Sequence, residues 1–208
     1  MSGERRLASG LEKLGLPASG DVPDKLLRYV ALIAKWNRVY NLTAVRDQGD
    51  MACVHILDSL AVLPHLKGRT LLDVGSGAGL PGIPLAIARP DLEVTLLDSN
   101  QKKTSFQQQA AIELSLANVC AVNVRVESWD PAQRFDVVIS RAFAEIADFV
   151  SAAGRLCADG GVLVAMKGIS PDEELSRMPA AYRARAVVPL AVPGVDAERH
   201  LVLIERAA

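Results

Sequence analysis

Leu71-Leu72-Asp73-Val74-Gly75-Ser76-Gly77-Ala78-Gly79 is an apolar run that ends in three alternating glycines, and Leu96-Leu97-Asp98 closes the next apolar run. A short strand that breaks into a glycine turn lets backbone N–H groups approach a ligand with no Cβ in the way. Asp98 falls roughly twenty positions past Gly75, where a second parallel strand should end, and its carboxylate can accept hydrogen bonds from both hydroxyls of a ribose. Together they mark a site for an adenosine-containing ligand. A dinucleotide fingerprint spaces its glycines as G-x-G-x-x-G so that a pyrophosphate rests on the following helix. Here the spacing is G-x-G-x-G, and Gly82 comes only after Leu80-Pro81. Pro81 and Pro84 suit the first turn of that helix, where a missing N–H costs nothing. The spacing favours an adenosine without phosphates, of which S-adenosylmethionine is the commonest as a cofactor. A nicotinamide dinucleotide and a glycine turn without a ligand are the competing readings.

The chain has 208 residues, 50% of them hydrophobic, which is enough for one sizeable core and excludes disorder. Its formal net charge of −1 argues against a large uniform basic face, so any contact with RNA is expected to be local. Cys53, Cys120 and Cys157 are far apart, with no C-x-x-C and only His55 nearby. That is the pattern of a reducing, cytoplasmic compartment, with no disulfide and no metal site expected. No apolar signal region stands behind Met1-Ser2-Gly3-Glu4-Arg5-Arg6. The longest apolar stretch, Leu71 to Ala88, is broken by Asp73, glycines and prolines. Neither secretion nor a membrane span is expected.

Working outward from the glycine turn, apolar runs at 70–74, 93–97, 119–126, 135–140 and 161–166 alternate with helix-length segments at 80–89, 100–117 and 144–157. The alternation implies βαβ units and a mainly parallel sheet covered on both faces. Ligands then sit beyond the carboxyl ends of the strands, where Gly75, Asp98, Glu127, Arg141 and Lys167 collect. A helix after Pro171 and two late strands near 184–190 and 200–205, read as an antiparallel hairpin, complete seven strands. Upstream, Leu26, Tyr29, Val30, Ile33, Trp36 and Tyr40 recur at helical spacing across 24–40, with Asp21 or Asp24 as the cap. A second helical pattern covers 51–63. The expected organisation is an N-terminal helical extension, 1–66, packed on a core domain, 67–208, as one compact unit.

Several of these stretches resemble a known family. They are Trp36-Asn37-Arg38-Val39-Tyr40-Asn41-Leu42-Thr43-Ala44-Val45-Arg46-Asp47, His55-Ile56-Leu57-Asp58-Ser59, Asp73 through Pro84, Leu96-Leu97-Asp98-Ser99, and Ile139-Ser140-Arg141-Ala142-Phe143-Ala144. They are similar to the bacterial small-subunit rRNA guanine-N7 methyltransferase G family, also called glucose-inhibited division protein B. The likeness runs from about residue 25 to Arg199-His200-Leu201. It implies a Rossmann-like class I S-adenosylmethionine-dependent methyltransferase fold, a seven-stranded mainly parallel sheet with an N-terminal helical extension. It implies methylation of N7 of one guanine in the decoding-region hairpin loop of 16S rRNA, in the small ribosomal subunit or an assembly intermediate. By the same resemblance Gly75, Leu80, Asp98, Ser99, Asn100, Val126, Glu127 and Arg141 line the cofactor site. Gly77 joins them from the glycine turn itself.

The chemistry fits what is missing. Guanine N7 carries a lone pair and no proton, so its attack on a sulfonium methyl needs alignment and no general base. The Asn/Asp-Pro-Pro-aromatic run of exocyclic-amine methyltransferases is replaced by Ser140-Arg141-Ala142-Phe143. No cysteine lies on the sheet's carboxyl edge, as a C5-pyrimidine methyltransferase would need. Arg141, for alignment, and Lys167 are the catalytic candidates: at adjacent strand ends they can pair with the cofactor carboxylate, an RNA phosphate or the Hoogsteen edge, carboxylate or phosphate being favoured for Arg141, or stand as solvated cations. Phe143 can stack on a flipped base or pack in the core. His55 reads as a structural residue, and His200 as a strand residue. Asn41, Thr43 and Arg46 form either a lid or a turn between helices. A small-molecule methyltransferase on the same fold is the alternative function.

Overall fold

The computed structural model describes residues 3–141 and 143–207; Met1, Ser2, Ala142 and Ala208, and so one position of the Ser-Arg-Ala-Phe run, lie outside the described residues. The apolar runs become strands β1 (Thr70–Val74), β2 (Glu93–Asp98), β3 (Val119–Asn123), β4 (Phe135–Ser140), β5 (Cys157–Lys167), β6 (Tyr182–Pro189) and β7 (His200–Arg206). They form one sheet of order β3-β2-β1-β4-β5-β7-β6. Strands β1 to β5 pair in parallel, and β7 lies antiparallel between β5 and β6. Helices α5 (Gly82–Ala88), α6 (Gln101–Glu113) and α7 (Ile146–Ala153) carry the crossovers from β1 to β2, β2 to β3 and β4 to β5. The winding direction reverses at β1, so a crevice opens between the loops that leave β1 and β4.

The central strands read as continuous apolar runs because both faces are covered. Leu71, Val94, Leu96, Val137, Ile139 and Val164 belong to one buried cluster, and Leu72, Leu97, Val138, Leu163 and Ala165 to the other. The period of two is that of the pleat. On the first face lie α5, α6 and the N-terminal helices α1 (Gly3–Lys13) and α2 (Asp21–Tyr40). A third helical run follows, built from α3 (Gln48–Met51), a π-helical turn (Ala52–Leu57) and α4 (Asp58–Leu60). Leu7, Leu11, Leu26 and Ile33 share one apolar cluster with Leu71, Ile83 and Ile139, so the extension has no core of its own. On the second face, α7 packs on β5, and the short α8 (Asp172–Ser176) lies against α7.

The differences from expectation are local. Helix α1 was not anticipated; Gly10 packs so closely on Leu57 that a Cβ there would stand 2.2 Å from its Cδ1. Neither Asp21 nor Asp24 caps α2. Its N-cap is Gly20, with no side-chain cap bond, and Asp21 pairs instead with Lys25 at 2.8 Å. Tyr40 is exposed, and Asn37 is buried in its place. The run 119–126 is not one strand: β3 stops at Asn123 and Val126–Ser128 form a 3-10 turn. Pro81 is the N-cap of α5, one position before the helix proper.

Candidate functional site: two clefts at the carboxyl rim of the sheet

The glycine turn is folded down onto the end of β2. Gly75 and Ser76 donate their N–H groups to the Leu97 carbonyl at 2.8 and 3.1 Å. Gly75, Gly77 and Gly79 all have positive φ, and at Gly79 an added Cβ would also stand 2.5 Å from Ile83. From α6 the buried Gln107 donates to Ser76 Oγ (2.9 Å) and to the Gly77 carbonyl (2.8 Å), fixing the turn from behind. Asp98 accepts from Gly77 N–H at Oδ2 (2.9 Å) and from Asn100 N–H at Oδ1 (2.8 Å). An ionised carboxylate has about four lone-pair positions, so each oxygen keeps one for a ligand.

A cleft opens here, lined by Gly75, Leu97, Asp98, Ser99, Val126, Glu127 and Phe143 among others. Of the expected cofactor residues, Gly75, Asp98, Ser99, Val126 and Glu127 line it. Gly77, Leu80 and Asn100 do not. Gly77 is turned to Asp98 and Gln107, Leu80 is buried in the core, and Asn100 caps α6 by accepting from the Lys102 and Lys103 amides. The turn carrying Val126 and Glu127 is held by Arg155, which donates to the carbonyls of Val126 and Trp129 at 2.7 and 2.6 Å. Phe143 does two things at once: it faces the cleft and packs on Phe149, ring centroids 5.4 Å apart.

Arg141 is elsewhere. It lines a second cleft on the same rim with Val54, His55, Asp58, Lys167, Arg199 and His200. Asp58, only 2% exposed, holds two guanidinium groups: Arg141 Nη1 donates to Oδ2 at 3.3 Å and Arg199 Nε to Oδ1 at 2.9 Å. Lys167 also lines this cleft, but its ammonium is committed. It donates to the carbonyls of Phe143 (3.5 Å) and Ala144 (2.5 Å) and pairs with Glu174 at 2.8 Å, which accounts for all three of its protons. The expectation of a cation free to meet RNA or cofactor therefore fails for Lys167. Glu174 in turn accepts from the Ile146 N–H at 2.9 Å.

His55 is held by Thr43, Oγ1 to Nε2 at 2.7 Å, and Thr43 is held by both ends of the Asn37 side chain. Asn41 is the left-handed C-cap of α2, and its Oδ1 accepts from Arg46 at 3.4 Å. The 41–46 segment is therefore a turn that braces His55. Burial, with the Arg141 charge, lowers the His55 pKa to about 4, so the ring is neutral near pH 7. Asp73, at the end of β1, is fully buried, and its Oδ2 accepts from Gly82 N–H at 2.8 Å; burial raises its pKa to about 7.

Sequence reasoning assigned no role to Asp58, Arg199 or Asp73. Arg199 had a signal: an antiparallel final hairpin puts the start of β7 beside the end of β5, and Lys167 does pair with His200 in register. The approach of Asp58 to β4 depends on how the N-terminal helices dock, and no local pattern encodes that.

A seven-stranded sheet of this order, with a glycine turn and an acid at adjoining strand ends, defines a class I S-adenosylmethionine-dependent methyltransferase. The solved glycopeptide N-methyltransferase MtfA, complexed with S-adenosyl-L-homocysteine, shares the fold: TM-score 0.61 at 11% identity, covering 72% of this chain and 86% of that one. The chain belongs to the rRNA small subunit methyltransferase G family, whose description matches residues 23–202. The ribosomal RNA small subunit methyltransferase G of Aromatoleum aromaticum is 55% identical over 205 residues, 96% of this chain and 97% of that protein. Its counterpart in Laribacter hongkongensis is 52% identical over 202 residues, 97% of this chain and 98% of that protein.

Proposed function

We propose that the protein transfers a methyl group to N7 of a single guanine in 16S rRNA, with the cofactor in the first cleft and the nucleotide entering over the second. The observation that carries this reading is the exit of β4. Arg141 faces the basic cleft, and two residues later Phe143 faces the cofactor cleft, so one loop borders both. S-adenosylmethionine, when bound, supplies an electrophilic methyl on a sulfonium. The residues present fit it: Asp98 has lone pairs left for the ribose hydroxyls, and Gly75 leaves room beside the methionine end. The amides of Val126 and Glu127 open a 3-10 turn and have no intrahelical acceptor, so they can meet the adenine edge while the Glu127 carboxylate accepts from its amino group.

N7 needs no proton removed, and the His55 ring is already engaged with Thr43. The site's contribution is alignment and exclusion of water. The near-identical length and high identity of the relatives support an rRNA substrate over a small molecule. The test is transfer of labelled methyl to small-subunit particles and to naked rRNA from cells lacking the gene. Mapping by chemical cleavage at N7-methylguanine and primer extension follows. No incorporation, or a label on another atom, refutes the reading.

A further inference from the structure

We propose that Asp58 is a positioning residue that joins Arg141 and Arg199 into one preset fork, and that this fork grips a backbone phosphate of the RNA beside the methylated guanine. The inference rests on the rRNA reading above and adds the chemistry of its second cleft. Asp58 sits at the start of α4, 3% exposed at its side chain, and each of its oxygens takes one arginine, one from the end of β4 and one from the approach to β7. The two arginine side chains are 28% and 23% exposed, so they are partly desolvated and restricted. Two cations share a single carboxylate, and Lys167 is already neutralised by Glu174, so the cleft keeps one positive charge in excess.

Arg141 spends Nη1 on Asp58 and the Val54 carbonyl, and Arg199 spends Nε on Asp58 and one Nη1 proton on the Glu198 backbone carbonyl. The remaining N–H donors, on Nε and Nη2 of Arg141 and on Nη2 of Arg199, are those a phosphate would engage, and a guanidinium already held by a carboxylate loses little freedom when it does so. A phosphate suits this fork better than the Hoogsteen edge. An arginine bonded to N7 would occupy the lone pair that must attack the methyl. Without Asp58, two like charges would face each other across the cleft and swing apart.

The test is Asp58→Asn in the full-length protein, assayed with small-subunit particles. The amide keeps the shape of the carboxylate but turns an NH2 toward one of the two arginines. We expect the KM for particles to rise about ten- to a hundredfold, with kcat changed far less and S-adenosylhomocysteine affinity by calorimetry unchanged. In an Arg141→Gln/Arg199→Gln background the same substitution should add nothing, because Asp58 acts only through those side chains. An unchanged KM, a parallel loss of S-adenosylhomocysteine binding, or an undiminished effect in the double-glutamine background overturns the proposal. If Asp58→Asn does not fold, Arg199→Lys serves: it keeps the charge but loses the fork, and a wild-type KM then refutes the idea. Wild-type protein that fails to methylate rRNA at all would instead refute the parent reading.

Discussion

Asp98 holds the glycine turn through Gly77 and, in the proposed site, a ribose as well. Hydrogen bonds to a charged acceptor contribute roughly 1.5 to 3 kcal/mol, so Asp98→Ala should weaken S-adenosylhomocysteine binding about ten- to a hundredfold by calorimetry. Unchanged affinity would remove Asp98 from the site. The two buried titrating groups make a second prediction, with opposite signs. Asp73 keeps its proton up to about pH 7 in the folded chain, against an ordinary value of 3.8; burial is the cause, opposed by the Gly82 N–H and the Arg141 charge and reinforced by Asp98. Folding therefore becomes less favourable as pH rises from about 4 to 7. His55, lowered from 6.5 to about 4 by burial and then by Arg141, with Asp58 opposing, refuses a proton that the unfolded chain accepts. Its stability is lost as pH falls from 6.5 toward 4. These slopes offset each other over that window. Urea unfolding of Asp73→Asn should show stability rising from pH 4 to 6.5, and of His55→Gln falling from pH 4 to 7, each by about 1.4 kcal/mol per unit. Identical pH profiles for wild type and both variants would show that neither group titrates as its surroundings dictate.

At the scale of elements, the central strands and their crossovers were legible because a buried parallel strand announces itself as an unbroken apolar run between turn signals. The 70–74 and 135–140 runs match β1 and β4 end to end. The N-terminus of α7 was not legible in the same way. Its N-cap, Glu145, makes no side-chain cap bond; the Ile146 N–H is satisfied by Glu174, reaching across from α8. Glu174 also pairs with Lys167, which pins the carbonyls of Phe143 and Ala144, so one ion pair fixes the loop that borders both clefts. Strand-end position alone made Lys167 look like a free cation; its partners are 7 to 24 residues away and become visible only in three dimensions. Lys167→Met should therefore destabilise the protein by about 3 kcal/mol, as expected when a mostly buried pair loses one member. It should slow methyl transfer by loosening the loop. The salt dependence of RNA binding should not change. A salt slope shallower by about one unit would instead identify Lys167 as a phosphate contact.

For the whole molecule, the charge balance set a limit that the fold then located. A net charge of −1 argues against a broad basic face, and the second cleft holds one positive charge in excess beside the proposed chemistry. Arg141 and Arg199 share one acid in the second cleft, while Arg125 in the first stands with the carboxylates of Asp98 and Glu127. Composition fixed only the sum. The closing of β7 against β5 and the docking of the N-terminal helices against β4 decide that the excess lies at the rim. If the reading is right, few phosphates are neutralised on binding. With about two to four contacts, the affinity for the target RNA should fall with salt at a log–log slope of roughly −1.5 to −3.5. Filter binding of an rRNA fragment between 50 and 200 mM salt, on the order of conditions where such slopes are resolved, measures it directly. Arg141→Gln or Arg199→Gln should each flatten the slope by about one unit, and Arg183→Gln, on the edge strand β6 with its guanidinium paired to Glu205 of β7, should leave it unchanged. A slope steeper than about −5 would mean that the RNA spreads over a much larger surface than the two clefts provide.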